Sequence, residues 1–394
     1  ISGNSGSSEG PHLHFEIRNI DNQVPLNPLK YRFDITDNIP PKIFNIALYP
    51  EGSHSAIDGR HSKKILDAVE VNTGRYSLMN TSIPEVSGTI GFGIRAYDFL
   101  NGAPNWCGLY TVKLYVDSTL MYHHEMDRFS FHETRYINSL IDYEEDERNN
   151  RTFQKSYRQP NNQLSIYEYL RNDGLFSFRD DTIHRVTYRI TDAYDNTSVL
   201  SFQVKSTSHL PDSTRHANGS EGTIMPYNKK NSFQREDIRM NFPHHAFYDT
   251  ISFTYHKEKP SFDHDSFYSD LHHIHDPYTP VHKRYTLAIK PQNLPEMLRS
   301  KAFIARVNGE DSPYVYEGGE VVNEFISTRV REFGKYAVMV DREPPNVKPL
   351  VINKQKISFQ VDDELTGIMS YNGYINGEWV LFEYDPKNDL LTYH

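Results

Sequence analysis

Short runs in which β-branched and aromatic residues alternate with polar ones dominate the chain, punctuated by Gly, Pro, Asn and Asp. Successive side chains on a strand point to opposite faces, so this alternation predicts strands buried on one side. It predicts them at Leu13, Phe15 and Ile17, at Ile43 to Leu48, at Thr89 to Ile94 and at Tyr110 to Val116. Further strands are predicted at Val186 to Ile190, Val199 to Val204, Ile251 to Tyr255, Tyr285 to Ile289 and Tyr336 to Val340. Helical periodicity is sparse. Short helices are predicted at Leu294 to Ser300, entered through Pro295, and at Ile166 to Arg171. The predicted class is mainly β.

Two internal echoes organise the chain. Ile94 to Asn101, with Asp98 at its centre, precedes a strand, and so does Ile190 to Asn196, with Asp192 and Asp195. Each reads as strand, Asp/Asn turn, strand, which suits hairpins in a sandwich. The second echo is Asp-x-x-Pro-Pro, at Asp37 to Pro41 and again at Asp341 to Pro345. Double prolines stiffen a chain and supply no backbone donors, so both read as linkers. These signals predict boundaries near 33–41, 207–222 and 342–348. The expected order is a segment 1–33, an immunoglobulin-like or fibronectin-like β domain over 40–207, a second β-sandwich over 222–342, and the start of a further immunoglobulin-like domain over 346–394. The charged, Asn-rich stretch 142–162 is expected to be a solvated insertion within the first of these domains.

Composition narrows the function. The chain has 394 residues, 37% hydrophobic, and 51 aromatics (27 Tyr, 22 Phe, 2 Trp), enough to anchor several cores. The net charge of −10, with no Lys/Arg block, argues against nucleic acid as a partner. A single cysteine, Cys107, excludes an intrachain disulfide and any Cys-based zinc finger. Between Trp106 and Gly108 it reads as a small buried hydrophobe rather than a nucleophile. No apolar run reaches the roughly 18 residues of a membrane span, so no transmembrane segment is expected. No basic-then-apolar leader opens the sequence, and the first residue is Ile1 rather than Met, as expected of a cut end.

The most specific string is Gly3-Asn4-Ser5-Gly6-Ser7-Ser8-Glu9-Gly10-Pro11-His12-Leu13-His14-Phe15-Glu16. A Gly/Ser loop feeds a strand on which His12, His14 and Glu16 share one face. The string resembles the terminal motif of the lysostaphin/LytM-type zinc metallopeptidases, bacterial enzymes that cut peptide crosslinks in peptidoglycan. That motif runs Gly-x-(Thr/Ser)-Gly-x-Ser-x-Gly-Pro-His-x-His-Phe-Glu, and every fixed position is met. The resemblance implies that His14 is a zinc ligand. It implies that His12 is the catalytic histidine, activating water or stabilising the developing oxyanion. Residues 1–33 would then be the tail of a LytM-type β peptidase domain. The family takes two further ligands from a His-x-x-x-Asp motif upstream, and the eleven residues before His12 contain neither His nor Asp. This chain alone is therefore expected not to coordinate zinc fully and to be inactive.

Two downstream stretches fit His-x-x-x-Asp: His54 to Asp58 and His123 to Asp127. Three free positions recur by chance in a chain with 19 His, so both read as solvent-facing strand and loop residues. A second cluster joins His264, His272, His273, His275 and His282 with Asp263, Asp265, Asp270 and Asp276. Its donors suit zinc or nickel, but its Pro-rich turn reads as a loop that collects polar residues. No Gly-x-Ser-x-Gly elbow or phosphate-binding loop occurs. Met126 to Tyr136 is similar to the accessory region of such peptidases in Bacteroides-like bacteria. The resemblance thus implies part of a cell-envelope metalloendopeptidase in the periplasm or envelope of a Gram-negative bacterium. Its β-sandwich domains would position or regulate the catalytic part or bind an envelope partner, and the partners implied are peptidoglycan peptides or an envelope protein. The alternative is a non-catalytic envelope scaffold with a degenerate peptidase-like domain.

Overall fold

A computed structural model of the chain describes residues 14–31, 33–208, 222–260, 267–308 and 314–394. Strands prevail throughout, joined by short turns and a few helical turns. The chain divides into two compact units, Ile1–Ser220 and Glu221–His394.

The first unit is built on strict alternation. In Ile183–Thr191 the side chains of His184, Val186, Tyr188 and Ile190 are buried, and in Thr197–Ser206 those of Ser198, Leu200, Phe202, Val204 and Ser206 are. These two strands pair antiparallel over their full length, and Thr111–Val116 flanks the first of them. On the other side Lys42–Ile57 pairs with Glu85–Phe99 and with Lys64–Asn72. The ladder then closes on itself, because Thr197–Ser206 runs parallel to Glu85–Phe99 at Lys205 and Ser206 as well as to Arg75–Leu78. Both halves face one core that includes Ile46, Phe92, Leu114, Tyr122, Tyr188 and Leu200. The hydrogen bonding thus runs continuously through a sandwich-like layer arrangement.

The stretch 142–162 departs from expectation, for it is packed rather than solvated. Asp142 caps the Tyr143–Asn149 helix by accepting from the Glu145 N–H. Lys63 Nζ lies 3.1 Å from Asp142, 3.0 Å from Glu144 and 3.2 Å from Glu145. Arg151 binds Glu145 at 2.6 Å. Three of the acids that made the segment read as hydrated, Asp142, Glu144 and Glu145, are therefore paired with cations in place. Beyond the helix Phe153 and Tyr157 are buried against Ala47 and Tyr49. They lie over a strip that the Glu85–Phe99 strand leaves bare: a Cβ on Gly91 would stand 2.6 Å from the Tyr157 ring, and one on Gly93 2.9 Å from Tyr49.

The short helix expected at Ile166 to Arg171 is instead the strand Tyr167–Leu170, paired with Thr119–Glu125. Six residues are too few to sustain a helix, whereas Ile166, Tyr167 and Tyr169 are strand formers beside an open edge. Near Pro295 the helical turn forms, as the 3-10 helix Glu296–Lys301 with Pro295 at its N-cap.

In the second unit two five-stranded sheets enclose a core. One orders Asn231–Gln234, Ile238–Phe242, Tyr285–Ile289, Phe325–Val330 and Glu320–Val322; the other includes Tyr255–Glu258, Leu271–Ile274, Gly334–Val340 and Ala302–Val307. Met240, Leu287 and Ile326 from the first meet Ile274, Ile304 and Val338 from the second. The Tyr285 and Tyr336 hydroxyls both donate to the Glu332 carbonyl, at 2.9 and 2.7 Å. Residues 346–393 form a separate four-stranded sheet over a small core of Val361, Phe382 and Leu391. Its edge strand, Asn346–Ile352, is exposed throughout.

Candidate functional site

Of the two histidines of the His-x-His string, His12 lies outside the described residues and His14 is described. His14 precedes a hairpin of Ile17–Arg18 and Pro25–Leu26. Its side chain is 70% exposed, with Nε2 3.7 Å from Glu16 Oε1, and the strand expected through both residues begins only at Ile17. Arg18 engages the same carboxylate at 2.5 Å, and this hydrogen bond holds Glu16 below the usual carboxylate range. Phe15 is exposed rather than in a core, packed edge-on against Phe33. The hairpin is anchored: Asn27 N donates to the Asp127 carbonyl at 2.7 Å, and Asn27 Nδ2 to the Met126 carbonyl at 3.2 Å. A groove of about 480 Å³ runs between His14, Leu26, Met126, Phe129 and Phe131.

Zinc needs about three protein ligands. Around His14 the described residues offer one imidazole and a carboxylate already held by Arg18, so on their own they do not fit a complete zinc centre. Neither downstream His-x-x-x-Asp stretch supplies the rest. His54 is exposed, and Asp58 binds Lys64 and accepts from the Glu85 N–H at 2.9 Å. In the second stretch the motif residues His123 and Asp127 are half-buried rather than solvent-facing, and burial, then Lys113, holds the His123 imidazole below its usual value. The neighbouring His124 is buried, its Nδ1 2.8 Å from the Tyr122 hydroxyl. The second histidine cluster is dispersed. His264, Asp263 and Asp265 lie outside the described residues. His272 is buried against the Tyr255 hydroxyl at 2.8 Å, His273 pairs with Glu258 at 2.8 Å, and His275 sits against Phe253 and Phe333.

Among the described residues, three carboxylates do converge, and they come from the two echoes of the sequence. Asp37 opens the first Asp-x-x-Pro-Pro, Asp98 lies near the end of the Glu85–Phe99 strand, and Asp192 directly follows Ile183–Thr191. One oxygen from each lies within 4.8 Å of the others. Asp98 and Asp192 are each 1% exposed. Asp192 is held by the Tyr194 and Asn196 N–H groups at 2.8 and 2.9 Å, and by Asn196 Nδ2 at 2.7 Å. Asn196 Nδ2 also donates to the Asp37 carbonyl at 3.3 Å. Asp37 Oδ2 and Asp98 Oδ1 are buried without a hydrogen-bond partner. Burial, then the charge of Asp192, pushes the Asp98 carboxyl up to about 7. Reading each echo as a turn or linker missed this convergence. The Asp that the two strand–turn–strand repeats share, in Ala-Tyr-Asp, is Asp98 in one and Asp195 in the other, so the repeat itself pointed to Asp98 but not to Asp192.

Cys107 is half-buried rather than buried, and burial, then Asp98 and Asp37, push its thiol up. A thiol so placed holds its proton, which opposes a nucleophilic role.

Residues 222–341 match the Zu5-like domain, so the sandwich of the second unit is similar to that family over less than a third of the chain. No curated protein matches the chain. No helix among the described residues is long and apolar enough to cross a membrane.

Proposed function

We propose that residues 1–33 are the end of a LytM-type zinc metallopeptidase domain, and that the β-rich remainder positions it at the envelope, on peptidoglycan peptides or an envelope protein. The carrying observation is the string Gly3 to Glu16, which meets every fixed position of that family's terminal motif. The anchoring of the hairpin through Asn27 supports a positioning role, because a strand clamped to its neighbouring domain moves with it. In this reading His14 is a zinc ligand, His12 the catalytic histidine, and the remaining ligands come from outside residues 1–394.

Zinc content tests the reading. After chelation and re-exposure, the 394-residue chain is expected to retain essentially no stoichiometric zinc. A protein extended upstream through the parent's His-x-x-x-Asp segment is expected to hold about one zinc and to cleave peptidoglycan crosslinks, both lost in His14→Ala. An extended protein that binds no zinc, or upstream codons without that motif, would overturn the enzyme in favour of an envelope scaffold.

A further inference from the structure

The buried carboxylates of Asp98 and Asp192 and the half-buried one of Asp37 repel one another unless a cation or protons join them. The residues around this cluster do not neutralise it. Asp192 is met by two backbone N–H groups and an amide, all uncharged, and Asp37 Oδ1 by the Ile39 N–H at 3.1 Å. Asp98 Oδ1, on a side chain 1% exposed, and Asp37 Oδ2 meet nothing. The Tyr194 hydroxyl, beside Asp37 and Asp192, is a further buried oxygen without a partner. Unpartnered buried acceptors are costly, and here two belong to carboxylates of one cluster.

The dimensions suit an ion. Calcium binds oxygen at about 2.3–2.6 Å, so two ligands on one ion stand at most about 5 Å apart. The three oxygens lie within 4.8 Å of one another. The donor set is all oxygen, which favours calcium over zinc or another softer metal. We infer that Asp37, Asp98 and Asp192 form a binding site for a hard divalent cation, calcium by preference, that ties the Asp37–Pro41 linker to the ends of two core strands. Carbonyls or water complete the coordination. The ion's role is structural: it fixes the linker leaving the His14 hairpin against the first β unit. The site stands independently of the peptidase reading, since none of its ligands belongs to the His-x-His string.

The probe is calcium itself, titrated into the chelator-treated full chain by calorimetry, with magnesium as comparison. The expected result is about one site per chain, with affinity for calcium above that for magnesium. Asp98→Asn and Asp37→Asn should each weaken binding on the order of tenfold or more. Asp341→Asn is the control, because this Asp of the second Asp-x-x-Pro-Pro already accepts from the Thr366 hydroxyl at 2.6 Å and the Glu343 N–H at 3.1 Å. It should leave binding unchanged. Calcium should also slow proteolytic cleavage within residues 33–38 of the wild type and not of Asp98→Asn. Asp98→Asn removes a repelling charge, so without calcium it should melt no lower than the wild type, which separates lost binding from misfolding. No calcium uptake at millimolar concentration, or uptake unaltered in Asp98→Asn and Asp37→Asn, would overturn the site in favour of a proton-sharing carboxylate cluster.

Discussion

His184 bridges two carboxylates, with Nδ1 2.5 Å from Asp117 Oδ2 and Nε2 2.9 Å from Asp180 Oδ1. Burial alone would depress this imidazole, but the hydrogen bonds to Asp180 and Asp117 outweigh it and raise it. The His184 hydrogen bond in turn holds Asp180 far below the usual carboxylate range. A histidine raised in the folded state contributes stability that is complete below its unfolded value of about 6.5 and is lost as pH climbs through the folded value. Thermal melts across about pH 6 to 8 should therefore show the wild type losing stability relative to His184→Gln as pH rises. Parallel curves for the two proteins would refute the bridge. The same scale shows what the sequence could reveal of a site. Strand periodicity predicts His14 beside Glu16, and the two do meet, although the strand itself begins only at Ile17. That Asp37, Asp98 and Asp192 meet did not follow from the sequence, because their convergence depends on which strands pair, and the three stand up to 155 positions apart in the chain.

At the scale of elements, the segment 142–157 acts as a cover over the Gly91–Gly93 strip, held by charge at one end and by aromatic packing at the other. Lys63 stands among Asp142, Glu144 and Glu145, and the Asp142 and Glu145 side chains are almost wholly out of water. Burial would lower the Lys63 ammonium, and these acids outweigh it and raise it. Lys63→Met should destabilise the first unit by about 3 kcal/mol, at the low end for a broken buried pair because Lys63 itself is partly solvated. Chemical denaturation reads this directly, and an unchanged midpoint would show the acids to be hydrated instead. Gly91→Ala drives a methyl into the Tyr157 ring and should cost about 1–3 kcal/mol, part of it recovered when Tyr157→Leu is added. Alternation made the core strands legible, since one buried face imposes period two. It could not reveal the cover, whose acids look hydrated until Lys63, some eighty residues earlier, is brought beside them. Likewise the β-forming residues around Tyr167 give a strand only because the Thr119–Glu125 edge is there to receive them.

The whole molecule consists of two units that each close their own core. Separate cores unfold as separate cooperative transitions unless an extensive apolar interface joins them, so calorimetry of the full chain should resolve more than one transition. Gly91→Ala assigns them, since it strains packing in the first unit alone and should lower one transition by a few degrees. Calcium should act on that same transition. An ion bound only by the folded state stabilises it by about 2.7 kcal/mol at a hundredfold excess over its dissociation constant, which for a unit of this size raises the midpoint by about 5–10 °C. At the same calcium concentration Asp98→Asn, binding about tenfold or more weaker, should cut the rise by about half or more while leaving the other transition where it stands. Calcium shifting the transition that Gly91→Ala leaves untouched would place the ion in the second unit, away from Asp37, Asp98 and Asp192. A single transition lowered by Gly91→Ala would show that the two cores unfold together, and Asp98→Asn would then have to cut its calcium shift by about half or more for the site to stand.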